Sequence, residues 1–182
     1  KEAVVNLPES VQLIFKEAYV NKESVHIAFV GSISMGADEN SWSTSVKKRL
    51  ESFYGTDLLN ISLYEFDGTS TDFLNSEMPE QIIEKKPHIV LLETFRLADN
   101  SGFVTVDVAQ ENLKMFINQL QEEIPEVEFI LQPPNPLSNA VNYPKEVEEL
   151  QQFIEDEGIP YFNHWENWPT ENSEEMKELL SD

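Results

Sequence analysis

Residues 25–36 read VHIAFVGSISMG. A nearly continuous apolar run, VHIAFV, stops at a small polar loop, GSISMG. The next segment, ADENSWSTSVKKRLESF (37–53), has the pattern of a helix. A short unbroken apolar run is how a strand buried on both faces reads, and parallel strands between helices are of that kind. The opening unit is therefore strand, tight loop, helix, with a serine where the strand ends. Such a loop serves as an ordinary turn, with glycine for its backbone and serine as a helix cap. It also serves to hold an anion on its backbone or to present a nucleophile.

Working outward, the same kind of run recurs at 58–64 (LLNISLY), 88–92 (HIVLL), 127–131 (VEFIL) and 159–162 (IPYF). Helices are expected between them. In 41–54, Trp42, Val46, Leu50 and Phe53 share a stripe, and in 107–123 so do Ala109, Leu113, Phe116, Ile117 and Leu120. In 144–157, Pro144 suits the first turn, Gly158 suits the end, and Val147, Leu150 and Ile154 form the buried face. Further helices are expected at 9–21, 72–85 and 173–180. The alternation predicts a three-layer αβα sandwich, a five-stranded parallel sheet with helices on both sides. No repeat or linker divides it, so residues 1–182 are read as one domain.

Composition narrows the function. Apolar residues make up 40% of the 182, enough for a full-sized core. Twelve Lys and Arg stand against 34 Asp and Glu, a net charge of -22. That excludes a nucleic-acid partner, which needs clustered cations, and disfavours adsorption to anionic membranes. There is no cysteine, hence no disulfide and no thiolate chemistry. No run approaches the roughly 18 apolar residues of a membrane span. The first residue is Lys1, so the chain is expected to be a processed or trimmed product.

Ligands of open α/β sheets bind beyond the carboxyl ends of the strands. The site is therefore expected on the loops starting near Gly31, Glu65, Glu93, Gln132 and Asn163. His26 and His88 open their strands and are demoted, whereas His164 follows the fifth run and stays. The first loop has the G-x-x-x-x-G spacing of a phosphate loop, but Ala37 and Asp38 stand where Lys and Ser/Thr belong, so a nucleoside triphosphate is not expected. A flavin phosphate would meet repulsion from Asp38 and Glu39. Gly68, in EFDGTSTDFL, allows close backbone approach and has an N–H that could donate to an oxyanion. The third loop, ETFRLADNSG, is polar, and the prolines of QPPNP stiffen the fourth. In NHWENWP, His164 and Trp165 line a pocket or cap the core.

Together these loops resemble the SGNH (GDSL-type) hydrolase family. SISMG (32–36) is similar to the S-I-T-x-G of its first block, with Ser32 in the nucleophile's place, Ser34 for the threonine, and Val30 and Gly31 for the opening Gly-Asp. Gly68 matches the oxyanion glycine. ETFRLADN (93–100) resembles the E-x-F-x-L-N-D-N of a Gram-positive branch, with Ala98 where the oxyanion asparagine belongs and Asn100 as the nearest amide. LQPPNP and the segment from Tyr143 to Pro169 also resemble that branch. The closing D-x-x-H block is missing, and Asp182 stands about where it would begin. The resemblance implies a flavodoxin-like topology and hydrolysis of an O-acyl ester (an acylated carbohydrate, a lipid or a small ester) by a serine, with no metal or organic cofactor. It implies a cell-surface or secreted protein of a Gram-positive bacterium. Two readings stand beside it: a degenerate hydrolase turned binding module, and a flavodoxin-like FMN-binding protein.

Overall fold

The computed structural model describes residues 4–170 and 173–179. The elements run α1 (Glu9–Asn21), β1 (Val25–Ser32), α2 (Trp42–Tyr54), β2 (Leu59–Phe66), α3 (Ser70–Leu74), α4 (Met78–Glu84), β3 (Ile89–Glu93), α5 (Arg96–Ser101), α6 (Val106–Glu123), β4 (Glu128–Gln132), α7 (Tyr143–Asp156), a 3₁₀ turn (His164–Asn167) and α8 (Glu174–Leu179). The sheet is parallel throughout, in the order β2-β1-β3-β4. That is the flavodoxin-like order up to its fourth strand.

The expected fifth strand does not form among the described residues. Residues 159–162 touch β4 through one parallel bridge, Leu131 to Tyr161. Leu131 N–H donates to Pro160 C=O (2.9 Å) and Phe162 N–H donates to Leu131 C=O (2.7 Å). Pro160 has no N–H to extend the ladder, so the segment stays an edge contact. The helix expected over 72–85 is two helices, α3 and α4. Pro79 lies in the first turn of α4, where a missing N–H does no harm, but it would break a continuous helix. Thr69 caps α3 in a reciprocal box with Asp72.

Side chains alternate between two cores. Val25, Ile27 and Phe29 of β1 join Leu59, Ile61 and Ile89 under α1 and α2. Ala28 and Val30 join Val90, Leu92, Phe129 and Leu131 under α4, α6 and α7. The stripe read on α6 is buried there, and Phe116 sits edge-on against Phe73, with ring centres 5.0 Å apart. Each such side chain contributes about 1.5–3 kcal/mol by leaving water. With both faces covered, the open end lies beyond Ser32, Glu93 and Gln132.

Candidate active site

Strand β1 runs two residues further than its apolar pattern and ends on Ser32 itself. The chain then turns sharply. Met35 N–H donates to Ser32 C=O (3.0 Å) and Gly36 N–H to Ile33 C=O (3.1 Å), with Gly36 in the left-handed region at φ 65°. Ser41 caps α2 by accepting from Thr44 N–H.

Glu93 ends β3 beside Gly31. A Cβ on Gly31 would lie 2.7 Å from Glu93 Cβ and 2.9 Å from its Oε2, so only glycine leaves room for this carboxyl. Glu93 Oε2 accepts from Ser32 N–H (2.7 Å) and from Ser32 Oγ–H (2.7 Å). Its Oε1 accepts from Phe95 N–H (2.7 Å), which the left-handed backbone of Phe95 (φ 59°) supports. Ser34 Oγ lies 2.9 Å from Ser32 Oγ. Burial pushes the Glu93 carboxyl above the ordinary glutamate range, against the downward pull of these bonds. Ser32 is 1% exposed, and its N–H is already committed to Glu93, so it is not a free oxyanion donor in this arrangement.

The second and third loops are locked together. Asp99, fully buried on α5, accepts from Ser70 N–H (2.7 Å) and Ser70 Oγ–H (2.8 Å). Asn112 of α6 donates to Ser70 Oγ and to Thr71 Oγ1, both at 2.9 Å. Gly68 precedes this knot. A Cβ there would lie 2.7 Å from the Phe66 ring and 3.1 Å from Asp72 Cβ, so packing alone accounts for a glycine. The Asn100 amide donates to Glu146 Oε2 (2.8 Å) and ties α5 to α7. Arg96 is buried beneath it, donating to Val104 C=O (2.7 Å) with its Nε 3.4 Å from Glu146.

A cavity of about 760 Å³ opens at Glu93 and Ser34; Ser32 lies behind them and is not part of its lining. Its wall also includes Trp42, Val46, Leu91, Phe162, His164 and Trp168. An apolar space of about 620 Å³ under α1 shares Val46, Leu91 and Phe162 with it. His164 lines the cavity with both ring nitrogens engaged. Nε2 meets Pro133 C=O (2.8 Å) and Nδ1 accepts from Trp168 Nε1–H (3.0 Å). Those partners select the Nε2–H tautomer, and burial holds the ring's pKa below the usual histidine value. His164 therefore makes no bond to Ser32.

Trp165 lines a pocket other than this cavity. Its Nε1–H donates to Pro134 C=O (2.7 Å), its ring lies 5.8 Å from Tyr143, and it borders a separate groove with Gln151 and Asn163. Trp168 takes the cavity position instead. Asp182 lies outside the described residues. Sequence reasoning missed Glu93 as a partner of Ser32, and Asp99, Arg96 and Asn112 as buried polar groups. The one usable signal was Gly31, a glycine inside an otherwise bulky strand.

No family's sequence pattern matches the chain, and no curated protein matches it. Solved structures do. An acetyl xylan esterase is similar at 13% identity, with a TM-score of 0.65 and 79% of each chain covered. A lipase/acylhydrolase from Enterococcus faecalis is similar at 19% identity and a TM-score of 0.58, covering 79% of this chain and 77% of that one. A GDSL-like lipase from Bacteroides thetaiotaomicron is similar at 16% identity and a TM-score of 0.57, covering 87% and 82%. The chain shares a three-layer α/β fold with these esterases and lipases.

Proposed function

We propose that this chain is a serine ester hydrolase of SGNH type, with Ser32 as the nucleophile acting on an O-acyl ester. One observation carries the reading: in a fold shared with GDSL-type esterases, a serine ends β1 and donates a hydrogen bond from its hydroxyl to a buried carboxyl bordering a cavity. Serine attacks an acyl carbon only if a neighbouring group accepts that proton. Attack builds negative charge on the carbonyl oxygen, and the Gly68 N–H is the proposed donor for it. The side-chain amide that the family uses there is replaced by Ala98, so slow turnover is expected. The apolar space adjoining the cavity suits the acyl part of the ester. No metal or organic cofactor enters this chemistry. The Gram-positive branch and a cell-surface or secreted location belong to the proposal on the sequence motif alone.

A second reading, a binding module of hydrolase ancestry, is favoured by the burial of Ser32 and by the engagement of both its N–H and its hydroxyl. Hydrolysis of p-nitrophenyl acetate separates the two. The esterase reading expects release above that of Ser32→Ala, with turnover. Equal rates for the two proteins, with saturable quenching of tryptophan fluorescence by the ester, support the binding module instead.

A further inference from the structure

Resting on the esterase reading, we propose that Glu93 is the catalytic base: the carboxylate that takes the Ser32 proton as Oγ attacks the ester. Four observations lead there. Glu93 Oε2 is 2.7 Å from Ser32 Oγ, within the 2.6–3.2 Å reach of a general base. The carboxylate is held at both oxygens, Oε2 by Ser32 N–H and Oε1 by Phe95 N–H, each at 2.7 Å. Orientation is therefore built in and need not be supplied at the moment of reaction. The side chain also borders the cavity, so a proton it receives can go on to a bound molecule. Finally, among the described residues, the hydrogen-bond partners of Ser32 Oγ are Glu93, Ser34 Oγ and Ser34 N–H, while both nitrogens of His164 are engaged elsewhere.

The step balances. As the Ser32 Oγ–carbon bond forms, the Oγ proton moves to Glu93 Oε2, and the carbonyl π pair becomes the oxyanion. When the oxyanion collapses, the ester C–O bond breaks, and the alkoxide leaves with the proton from Glu93 as an alcohol. A water then gives its proton to Glu93 while its oxygen bonds the acyl carbon. Ser32 Oγ departs and takes that proton back, releasing the carboxylic acid. Burial raises the basicity of this carboxylate, which favours the first transfer. Ser34 Oγ, 2.9 Å from Ser32 Oγ, steadies the hydroxyl on its other side.

The groups around Glu93 allow a clear pH readout. Tyr143 of α7 and Tyr161 both feel its charge and are pushed well above their usual range by burial. His164, also on the cavity wall, is held below its ordinary value by burial, so its variant serves as the control. The test is the pre-steady-state acylation rate with p-nitrophenyl acetate from pH 4.5 to 8.5, for wild type, Glu93→Gln, Glu93→Asp, His164→Gln and Ser32→Ala. The nitrophenolate leaves without a proton, so the assay isolates proton abstraction. Wild type should rise through one ionisation that lies above the ordinary glutamate range. Glu93→Gln should lose about 10²–10⁴-fold together with that rise. Glu93→Asp should keep the rise at a reduced rate, and His164→Gln should keep its midpoint. A Glu93→Gln protein that acylates Ser32 at the wild-type rate overturns the inference and leaves the esterase reading standing. So does loss of the rise in His164→Gln, a result that decides the matter even if Glu93→Gln does not fold. Wild type no faster than Ser32→Ala removes both.

Discussion

Replacing Gly31 by alanine should do more damage than one methyl group usually does. The backbone at Gly31 is outside the left-handed region, so alanine is conformationally acceptable there. By backbone entropy alone it would stabilise the fold by about 0.4–1 kcal/mol. The contacts reverse the sign. The new Cβ would sit 2.7 Å from Glu93 Cβ, 2.9 Å from its Oε2 and 3.2 Å from Met35 Cβ. Relief requires the carboxyl to swing away from the N–H groups of Ser32 and Phe95. Overpacking costs about 1–3 kcal/mol, and each charge-assisted hydrogen bond lost adds about 1.5–3 kcal/mol before relaxation. A net loss of about 3 kcal/mol is expected, which at roughly 2–4 °C per kcal/mol lowers Tm by roughly 6–12 °C. Calorimetry measures the loss. The acylation rate of Ser32 should fall with it, because the same side chain is displaced. Gly158→Ala is the control: φ is +73° with nothing within 4 Å, so its cost is backbone strain alone and Ser32 is untouched. A Gly31→Ala protein melting within about 2 °C of wild type, with unchanged acylation, would refute the reasoning.

Two further predictions concern the loops around the site. Asp99→Asn keeps the shape of the side chain but turns an amide group toward the two donors of Ser70, so it should cost about 2–4 kcal/mol. The urea midpoint should drop with m unchanged, and a midpoint equal to wild type would dismiss the knot as a stabilising element. His164 is held below its usual pKa by burial, so the fold favours the neutral ring. Its contribution is complete above the unfolded value and is lost as pH falls through the folded one. Between pH 7.5 and 5.0, wild type should therefore lose more stability than His164→Gln in urea titrations, and parallel losses would contradict the burial argument.

The framework of the fold was legible because its strands are continuous apolar runs, and β1, β3 and β4 lie where those runs do. The fifth run was misleading: IPYF has the right composition, but Pro160 cannot join a ladder, and only the three-dimensional contact with Leu131 shows how little of it pairs. Pro79, equally visible, marked the break between α3 and α4. Helix α5 was hidden for a different reason. Its buried residues are Arg96 and Asp99, of which Arg96 Nη2 donates to Val104 C=O and Asp99 accepts from Ser70. Apolar periodicity cannot register a helix buried by its polar side chains. Ser32 was readable as the end of a strand. The engagement of its N–H by Glu93 was not, because it depends on how closely β1 and β3 approach at Gly31. The same holds for His164, whose position followed from topology but whose partners, Pro133 and Trp168, come from separate turns.

The central claim, that Ser32 is a nucleophile, is tested most directly by mass spectrometry. The protein is treated with a fluorophosphonate, weighed intact, and digested to locate the adduct. The account predicts one adduct per chain, on Ser32, absent from Ser32→Ala. No adduct, or one that survives in Ser32→Ala because it sits on Ser34 or elsewhere, would contradict it.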